Sequence, residues 1–246
     1  MFQRVIALEQ CTNFRDIGGY PTRDGGQTQT GLIYRSSALH RLTKSDQAML
    51  QALDIRTAFD LRLDEDLRQD GPDQPGPGVK VIRAPTTLIE ESLWRSLLGN
   101  GKNFRFVDCY ISSLAPRAAY HADLLRQIIA HLDHAVVIHC SAGKDRTGVA
   151  IALLLRLAGV VDSAIIDDYA LTEKLLADLY TYFHTTFLRQ GMPAPIAEEI
   201  LASHPDTIRG MLDYLDQTFG TVENYFIQGG STPAEIDEFR ARFVTR

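Results

Sequence analysis

The stretch VVIHCSAGKDRTG, from Val136 to Gly148, joins an apolar segment to a short loop and then to a second apolar segment. The first segment, AVVIHC, is typical of a buried β-strand, and the second, TGVAIALLLRLAG, has the apolar spacing of an α-helix. Residues 141–146 are therefore predicted to form a tight loop at a helix N-terminus. Backbone N–H groups and the helix dipole converge on such a loop, which makes an anion site that also stabilises a thiolate.

Cys140, at the start of this loop, is the predicted nucleophile. A helix N-terminus and cationic neighbours favour the thiolate form of a cysteine. Arg146 supplies a planar fork that fits two phosphate oxygens at once. Attack of a thiolate on phosphorus gives a phosphocysteine intermediate, which a water molecule hydrolyses. This scheme requires no metal ion and no cofactor.

Two neighbours of the loop are predicted to support it. His139 is interpreted as a scaffold residue whose ring bonds the loop backbone, in preference to an acid or a base. Thr147 is expected to donate a hydrogen bond to the departing sulfur, to cap the following helix, or to do both. The phosphate-binding residues predicted from the loop are Ser141, Ala142, Gly143, Lys144, Asp145 and Arg146.

Three other interpretations of the loop fit less well. A nucleotide-binding P-loop needs Gly-x-x-x-x-Gly-Lys-Ser/Thr, but Ile138 occupies the first glycine position and Asp145 follows Lys144. A zinc site needs a second close pair of ligands, and His131 and His134 are more typical of a solvated helix face. A buried, inert cysteine would leave the adjoining Gly-Lys-Asp-Arg unexplained.

Composition limits the function classes. The chain has 246 residues, of which 45% are hydrophobic, enough for a substantial core. A net charge of -6 argues against nucleic-acid partners. Three cysteines, Cys11, Cys109 and Cys140, are expected to be reduced thiols. No signal peptide or transmembrane segment is evident, since Arg156 interrupts the most apolar run, so a cytoplasmic protein is expected, with export without a cleaved signal left open.

Strand-like and helix-like segments alternate, which predicts an α/β fold with a mixed central sheet flanked by helices. The predicted strands are GLIYRSS, IRTAFDLR, VKVIRAP and AVVIHC, and the predicted helices include TKSDQAMLQAL and RAAYHADLLRQIIAHL. The glycine- and proline-rich stretch Arg68 to Lys80 is predicted to be a loop. After Asp168 the chain is predicted to be almost wholly helical, with a helical cover or lid over about 168–203.

The sequence HCSAGKDRTG resembles the active-site loop of cysteine-dependent protein tyrosine phosphatases. More narrowly, the chain resembles the bacterial and fungal tyrosine/serine phosphatase family, because NFRDIGGY, GLIYRSSAL, FDLR, DYALTE and FGTVENYF occur in that family's order. The resemblance implies a dual-specificity-like phosphatase fold, here one domain over 1–246, with Cys140 as nucleophile and Arg146 as phosphate clamp. It implies activity on phosphotyrosine proteins, with possible breadth to phosphoserine, phosphothreonine and phosphoinositides.

Lys144 favours the broader specificity, because an extra cation would neutralise a second phosphate group. In a tyrosine-only enzyme, Lys144 would instead orient Asp145. The alternative functions are therefore a phosphoinositide phosphatase and a catalytically silent module that binds phosphopeptides.

The chain departs from related phosphatases in its general acid, since VKVIRAPTTL has no aspartate on the expected mobile loop. Three other aspartates are candidates, in the order Asp145, Asp60 and Asp108. A leaving alkoxide needs a proton more than a phenolate does, so activity on phosphoserine or lipid would require a competent acid.

Three further segments have structural interpretations. In NFRDIGGY, Arg15 is expected to pair with Asp16 or to reach the site. The run RLDEDLRQD is predicted to be a solvated, self-paired surface, with a smaller chance that Arg62 binds substrate. Cys11 or Cys109 is hypothesised to form a protective disulfide with Cys140 under oxidation.

Overall fold

Five strands form the central sheet in the computed structural model, which describes residues 3–88, 105–189 and 191–245. Their spatial order is β1-β3-β6-β4-β5, with β1 antiparallel to its neighbour and the other pairs parallel. The prediction of a mixed sheet flanked by helices is therefore confirmed. The strands are β1 (Arg15–Asp16), β2 (Gln27–Thr28), β3 (Ile33–Ser36), β4 (Ile55–Asp60), β5 (Lys80–Arg83), β6 (Ala135–His139) and β7 (Val244–Thr245).

The helices cover both faces of the sheet and form most of the C-terminal half. Up to the loop they are α1 (Lys44–Ala52), α2 (Asp64–Asp70), α3 (Phe106–Leu114) and α4 (Ala118–Ile129), with a 3-10 turn at Ala115–Arg117. After the loop they are α5 (Asp145–Leu157), α6 (Asp162–Leu175), α7 (Ala177–Arg189), α8 (Ala194–Leu201), α9 (Pro205–Phe219), α10 (Val222–Gln228) and α11 (Pro233–Phe243). None of the helices in the described ranges combines the length and apolarity that crossing a membrane requires.

Strand β6 is the middle of the sheet, and every one of its residues is buried. Its last residue, His139, is in register with Ser36 at the end of β3 and with Asp60 at the end of β4. Parallel strands place their carboxyl ends at the same edge, so the three strand ends meet directly beneath residue 140. The loop after β6 thus begins at the edge where ligand sites of open α/β sheets form.

Helix α5 starts within the loop and passes through the core. Its residues from Thr147 to Leu157 are all buried, which fits a helix that is apolar on every side. A helix fixed on all faces by packing cannot shift easily, so the N–H groups of its first turn have a defined position.

The charged segment after β4, which was predicted to be a solvated surface, is partly buried in the structure. Residues 64–70 form α2, so the helix includes the first residues of the predicted loop from Arg68. Arg62 is fully buried, and its guanidinium pairs with the carboxylates of Asp60 and Asp73, which are buried as well. A self-paired surface is therefore wrong for Arg62, whose charge is neutralised inside the protein.

The N-terminal motif NFRD is anchored by a carboxylate on α6, not by the expected Arg15–Asp16 pair. Arg15 and Arg35 lie directly opposite each other on β1 and β3, and both are buried. Arg15 Nε lies 2.9 Å from Asp168 Oδ1, and Arg35 Nη1 lies 2.7 Å from Asp168 Oδ2. Tyr20 OH also donates to Asp168, and these donors hold the pKa of that carboxyl well below its usual value against the effect of burial. One carboxylate thus neutralises part of a repulsive arginine pair.

The predicted cover is helical, and its parts differ in burial. On α6, Asp168, Tyr169 and Thr172 are buried, whereas α7 has no buried residue among those described and exposes Tyr182 by 64%. Helix α8 buries one apolar side with Ile196 and Ile200. Movement of this segment as a lid stays a prediction.

We expect Asp168→Asn to lower the free energy of unfolding at neutral pH by about 3–5 kcal/mol, because it leaves two buried arginines opposite each other without a carboxylate. Urea denaturation followed by circular dichroism measures this change. Since the folded-state pKa is depressed, the contribution of Asp168 is present above the unfolded-state pKa and is lost only as the pH falls below the ordinary carboxyl range.

The matched control is Asp54→Asn, which disrupts an arginine–aspartate pair with both side chains about half exposed. It should change the urea midpoint far less than Asp168→Asn. Equal midpoints for the two variants would contradict the role given to Asp168.

Candidate functional site

Side chains from the rest of the protein donate hydrogen bonds to backbone carbonyl oxygens of the loop from Cys140 to Arg146. Asn13 Nδ2 donates to Ala142 O at 3.1 Å and to Gly143 O at 3.0 Å. Arg35 Nη2 donates to Gly143 O at 2.7 Å. The N–H and C=O of a planar trans peptide point in opposite directions, so the N–H groups of these peptides face away from the scaffold. The loop therefore presents donors on one side, as an anion site requires.

Gly143 allows the backbone of the loop to take this conformation. Its φ is +67°, and a Cβ atom at this position would lie 2.1 Å from the carbonyl oxygen of Ser36. Any other residue would be strained in φ and would also collide with the backbone of β3.

Arg146 is oriented by a carboxylate from α2. Arg146 Nη1 lies 2.5 Å from Asp66 Oδ2, and Ser141 Oγ donates to Asp66 Oδ1 at 3.2 Å. Burial opposes the charge of Arg146, but Cys140 and Asp66 raise the pKa of the guanidinium above its usual value. The pKa of Asp66 is lowered in turn, since the hydrogen bond from Arg146 outweighs burial. Asp66 thus fixes the guanidinium beside Cys140, whose own side chain is almost fully buried.

The ammonium of Lys144 is directed into the protein. Lys144 Nζ donates to Ala202 O at 2.9 Å, lies 2.7 Å from Asp145 Oδ1 and sits 4.8 Å from the centre of the Phe106 ring. Burial would lower the pKa of Lys144, but Asp145 raises it. Of the two roles predicted for Lys144, this placement suits the orientation of Asp145 and does not suit contact with a second phosphate group.

Asp145, the first candidate acid, is the one that lies in the loop itself. Its Oδ1 atom accepts a hydrogen bond from Tyr110 OH at 2.7 Å in addition to the contact with Lys144. The Tyr110 hydroxyl lies 2.9 Å from Tyr169 OH, and both tyrosines are buried. The carboxyl is 28% exposed, so it is fixed by the protein and still reaches solvent.

The other two candidate acids have different surroundings. Both oxygens of Asp60 accept hydrogen bonds from Arg62, and the side chain is buried beneath the loop. Asp108 pairs with Arg105 at the surface, where both side chains are more than half exposed. Of the three candidates, Asp145 is the one that both belongs to the loop and reaches solvent.

His139 and Thr147 lie at the base of the loop. His139 Nδ1 lies 3.2 Å from the carbonyl oxygen of Cys140, the contact with the loop backbone expected of a scaffold residue. Thr147 Oγ1 is buried and makes no hydrogen bond within the described ranges, so its proton is available to a nearby acceptor.

A buried cluster below the loop contains Asp60, Asp73 and His139, whose polar atoms lie within 4.8 Å of one another. Arg62 donates to both carboxylates of this cluster. A guanidinium in that position repels a metal cation, so the cluster fits an ion-pair network better than a metal site.

The remaining cysteines are buried free thiols. Burial raises the pKa of Cys11 to about 11 and that of Cys109 to about 12. Thiols of this kind react slowly in disulfide exchange, which makes both poor partners for Cys140.

Four site residues were not assigned to the site from the sequence: Asn13, Arg35, Asp66 and Asp73. Each is a polar residue that touches the loop or its base from a distant part of the chain. A charged residue inside an apolar strand is the one available signal, and it is present for Arg35 in GLIYRSS.

Comparison with known proteins identifies the family of this chain. A model described as the tyrosine phosphatase family matches residues 6–245. The triple specificity protein phosphatase PtpB of Mycobacterium tuberculosis is 26% identical over 96% of this chain and 98% of its own length. A tyrosine-protein phosphatase of Nostoc commune is 31% identical over 58% of this chain and 48% of its own length. Among solved structures, P. aeruginosa TpbA matches with a TM-score of 0.43 and 17% identity, over 84% of this chain and 91% of that one.

We expect Gly143→Ala to reduce the turnover of an aryl phosphate by about a hundredfold, the size of effect seen when a reacting group is displaced by about 1 Å. Steady-state kinetics on p-nitrophenyl phosphate measure it. Gly25→Ala is the control, because Gly25 has a φ of +87° but open space where the Cβ would lie. Normal turnover by Gly143→Ala would rule out the proposed constraint on the loop.

We also expect Asp66→Asn to weaken inhibition by inorganic phosphate about tenfold, the equivalent of one charge-assisted hydrogen bond, because Arg146 loses its orienting carboxylate. Glu65→Gln serves as the control on the same helix, since Glu65 is 81% exposed and pairs with Arg68. An inhibition constant that is unchanged in Asp66→Asn would show that the arginine is positioned without Asp66.

Proposed function

Because this chain belongs to the tyrosine phosphatase family, we propose that it hydrolyses phosphate monoesters with Cys140 as nucleophile and Arg146 as phosphate clamp. The observation that carries this assignment is the loop itself. Asn13 and Arg35 bind its carbonyl groups from behind, and Asp66 holds Arg146 beside the sulfur. A tetrahedral dianion in this loop would meet backbone N–H groups and one oriented guanidinium.

The first half of the reaction transfers the phosphoryl group to the protein. The Cys140 thiolate forms a bond to phosphorus as the bond to the ester oxygen breaks, and the leaving oxygen takes a proton from the Asp145 carboxyl. The helix N-terminus and Arg146 stabilise the charge on the equatorial oxygens. Arg35 is a further buried guanidinium, whose pKa burial and Arg15 lower although Asp168 and Cys140 favour its charge.

The second half releases inorganic phosphate. Asp145, now a carboxylate, accepts a proton from water as the water oxygen bonds to phosphorus and the phosphorus–sulfur bond breaks. The hydroxyl of Thr147, which has no hydrogen-bond partner in the described part of the chain, is the donor proposed for the departing thiolate. The cycle returns Asp145 to its protonated form and Cys140 to its thiolate form.

The proposed substrates are phosphotyrosine proteins, with breadth to phosphoserine and phosphothreonine. The relative that matches almost the whole chain is named a triple specificity phosphatase, which supports that breadth. Activity on phosphoinositides is the alternative, but Lys144, the cation that would meet a second phosphate, is bound to Ala202 and Asp145 instead.

We further propose that residues 168–203 cover the site within one domain. The support for this is a direct contact, since the carbonyl oxygen of Ala202 accepts from the loop residue Lys144. Glu199 on α8 also accepts from the backbone N–H of Phe106 at the start of α3.

The deciding experiment measures phosphate release from a phosphotyrosine peptide, a phosphoserine peptide and a phosphoinositide set. Cys140→Ser should reduce release from every substrate to background. Asp145→Asn should reduce release from phosphoserine by about 10²–10⁴-fold and from phosphotyrosine by less, because an alkoxide depends more on proton donation than a phenolate does.

Asp108→Asn is the matched control, as it removes an exposed carboxyl and should leave all rates unchanged. A selective loss in Asp60→Asn and not in Asp145→Asn would transfer the acid role to Asp60. No release by the wild-type protein from any substrate would favour a phosphopeptide-binding module instead.

A further inference from the structure

Asp73 lies in the loop between α2 and β5, and its carboxylate is fully buried. Its Oδ1 atom accepts from Arg62 Nη2 at 2.8 Å and from the backbone N–H of Leu39 at 3.0 Å. Its Oδ2 atom lies 2.8 Å from Nε2 of His139. Asp73 therefore connects the proline- and glycine-rich loop to the residue that precedes the nucleophile.

The groups around His139 indicate which of its ring nitrogens carry a proton. Nδ1 faces the carbonyl oxygen of Cys140 at 3.2 Å and Asp60 Oδ1 at 4.0 Å, and Nε2 faces Asp73. Carbonyl and carboxylate oxygens only accept hydrogen bonds, so a bare ring nitrogen at either position would bring two lone pairs together. The oxygen atoms that face the ring therefore favour a proton on each nitrogen.

The contact between His139 and Asp73 is mainly electrostatic. Nε2 and Oδ2 are 2.8 Å apart, but their approach is bent away from the line of an ideal hydrogen bond. An attraction between opposite charges tolerates such an angle better than a bond between neutral partners does. The geometry thus favours a charged ring next to a charged carboxylate.

The carboxylate of Asp73 keeps its charge. Burial raises its pKa, but His139 and Arg62 lower it below the usual value. The other charged groups around the ring are Asp60, Arg62 and, through Asp60, Arg83, which is 3.7 Å from that carboxylate and also pairs with Asp64. His40, in the segment after β3, and the buried thiol of Cys11 also interact with Asp73.

We propose that Asp73 is a positioning residue for the nucleophile: by holding a proton on His139 Nε2, it keeps a positive charge beneath Cys140 and stabilises the thiolate. The effect adds to those of the helix N-terminus and Arg146 and acts through His139, without contact between Asp73 and the substrate. It rests on the proposed role of Cys140 as the nucleophile.

The test is the rate at which iodoacetamide alkylates Cys140 across a pH series, with the modified peptide identified by mass spectrometry so that Cys11 and Cys109 are counted separately. Asp73→Asn retains the shape but removes the charge. We expect its half-maximal alkylation to move upward by about one pH unit, which lowers the rate at mildly acidic pH about tenfold. The acid limb of kcat/KM should move in the same direction.

Asp46→Asn is the control. Asp46 is another buried aspartate, but it accepts hydrogen bonds from the backbone N–H groups of Glu9, Gln10 and Thr43, away from the loop. It should leave the alkylation profile unchanged. A folded Asp73→Asn protein with the wild-type profile would overturn the proposal.

A spectroscopic measurement on the wild-type protein covers the case in which Asp73→Asn does not fold. Imidazole nitrogen NMR shifts of His139 at neutral pH should report protons on both nitrogens, and a single neutral tautomer would refute the inference. Alkylation needs no turnover, so failure of this proposal is distinguishable from failure of the proposed function, which Cys140→Ser tests separately.

Discussion

The structure depends on one carboxylate that holds two arginines together. Arg15 and Arg35 face each other across β1 and β3, where like charges would repel, and Asp168 lies between their guanidinium groups. Because the carboxylate belongs to α6, the same interaction fixes a helix to the edge of the sheet. Arg35 in turn binds the carbonyl oxygen of Gly143, so the position of the phosphate loop follows from this pair of ion contacts.

Local pattern was enough to predict the loop and four of the five strands of the central sheet. The strands that contain GLIYRSS and AVVIHC, and the helix that follows the loop, are defined by apolar runs and by the glycine and proline residues that end them. The two-residue strands β1, β2 and β7 have no such pattern, because their formation depends on the partner strand more than on their own residues.

The partners of the site residues could not be predicted in the same way. Asn13 and Ala142 are 129 residues apart, and Arg146 and Asp66 are 80 apart, so no spacing rule connects them. Lys144 illustrates the limit most clearly. Its residue type suggests a phosphate contact, yet its direction is decided by Ala202 and Phe106, whose proximity exists only in the folded protein.

The pairing of β2 with β7 affects the order in which the protein can be assembled on the ribosome. Gln27 of β2 is paired with Thr245 of β7, although the two residues are 218 positions apart in the sequence. Strand β2 therefore emerges early and can pair at first only with the preceding residues, through Thr28 N–H to Tyr20 O, until β7 has been translated. The second edge of β2 stays open through most of synthesis, and the last described strand completes the pairing of one of the first.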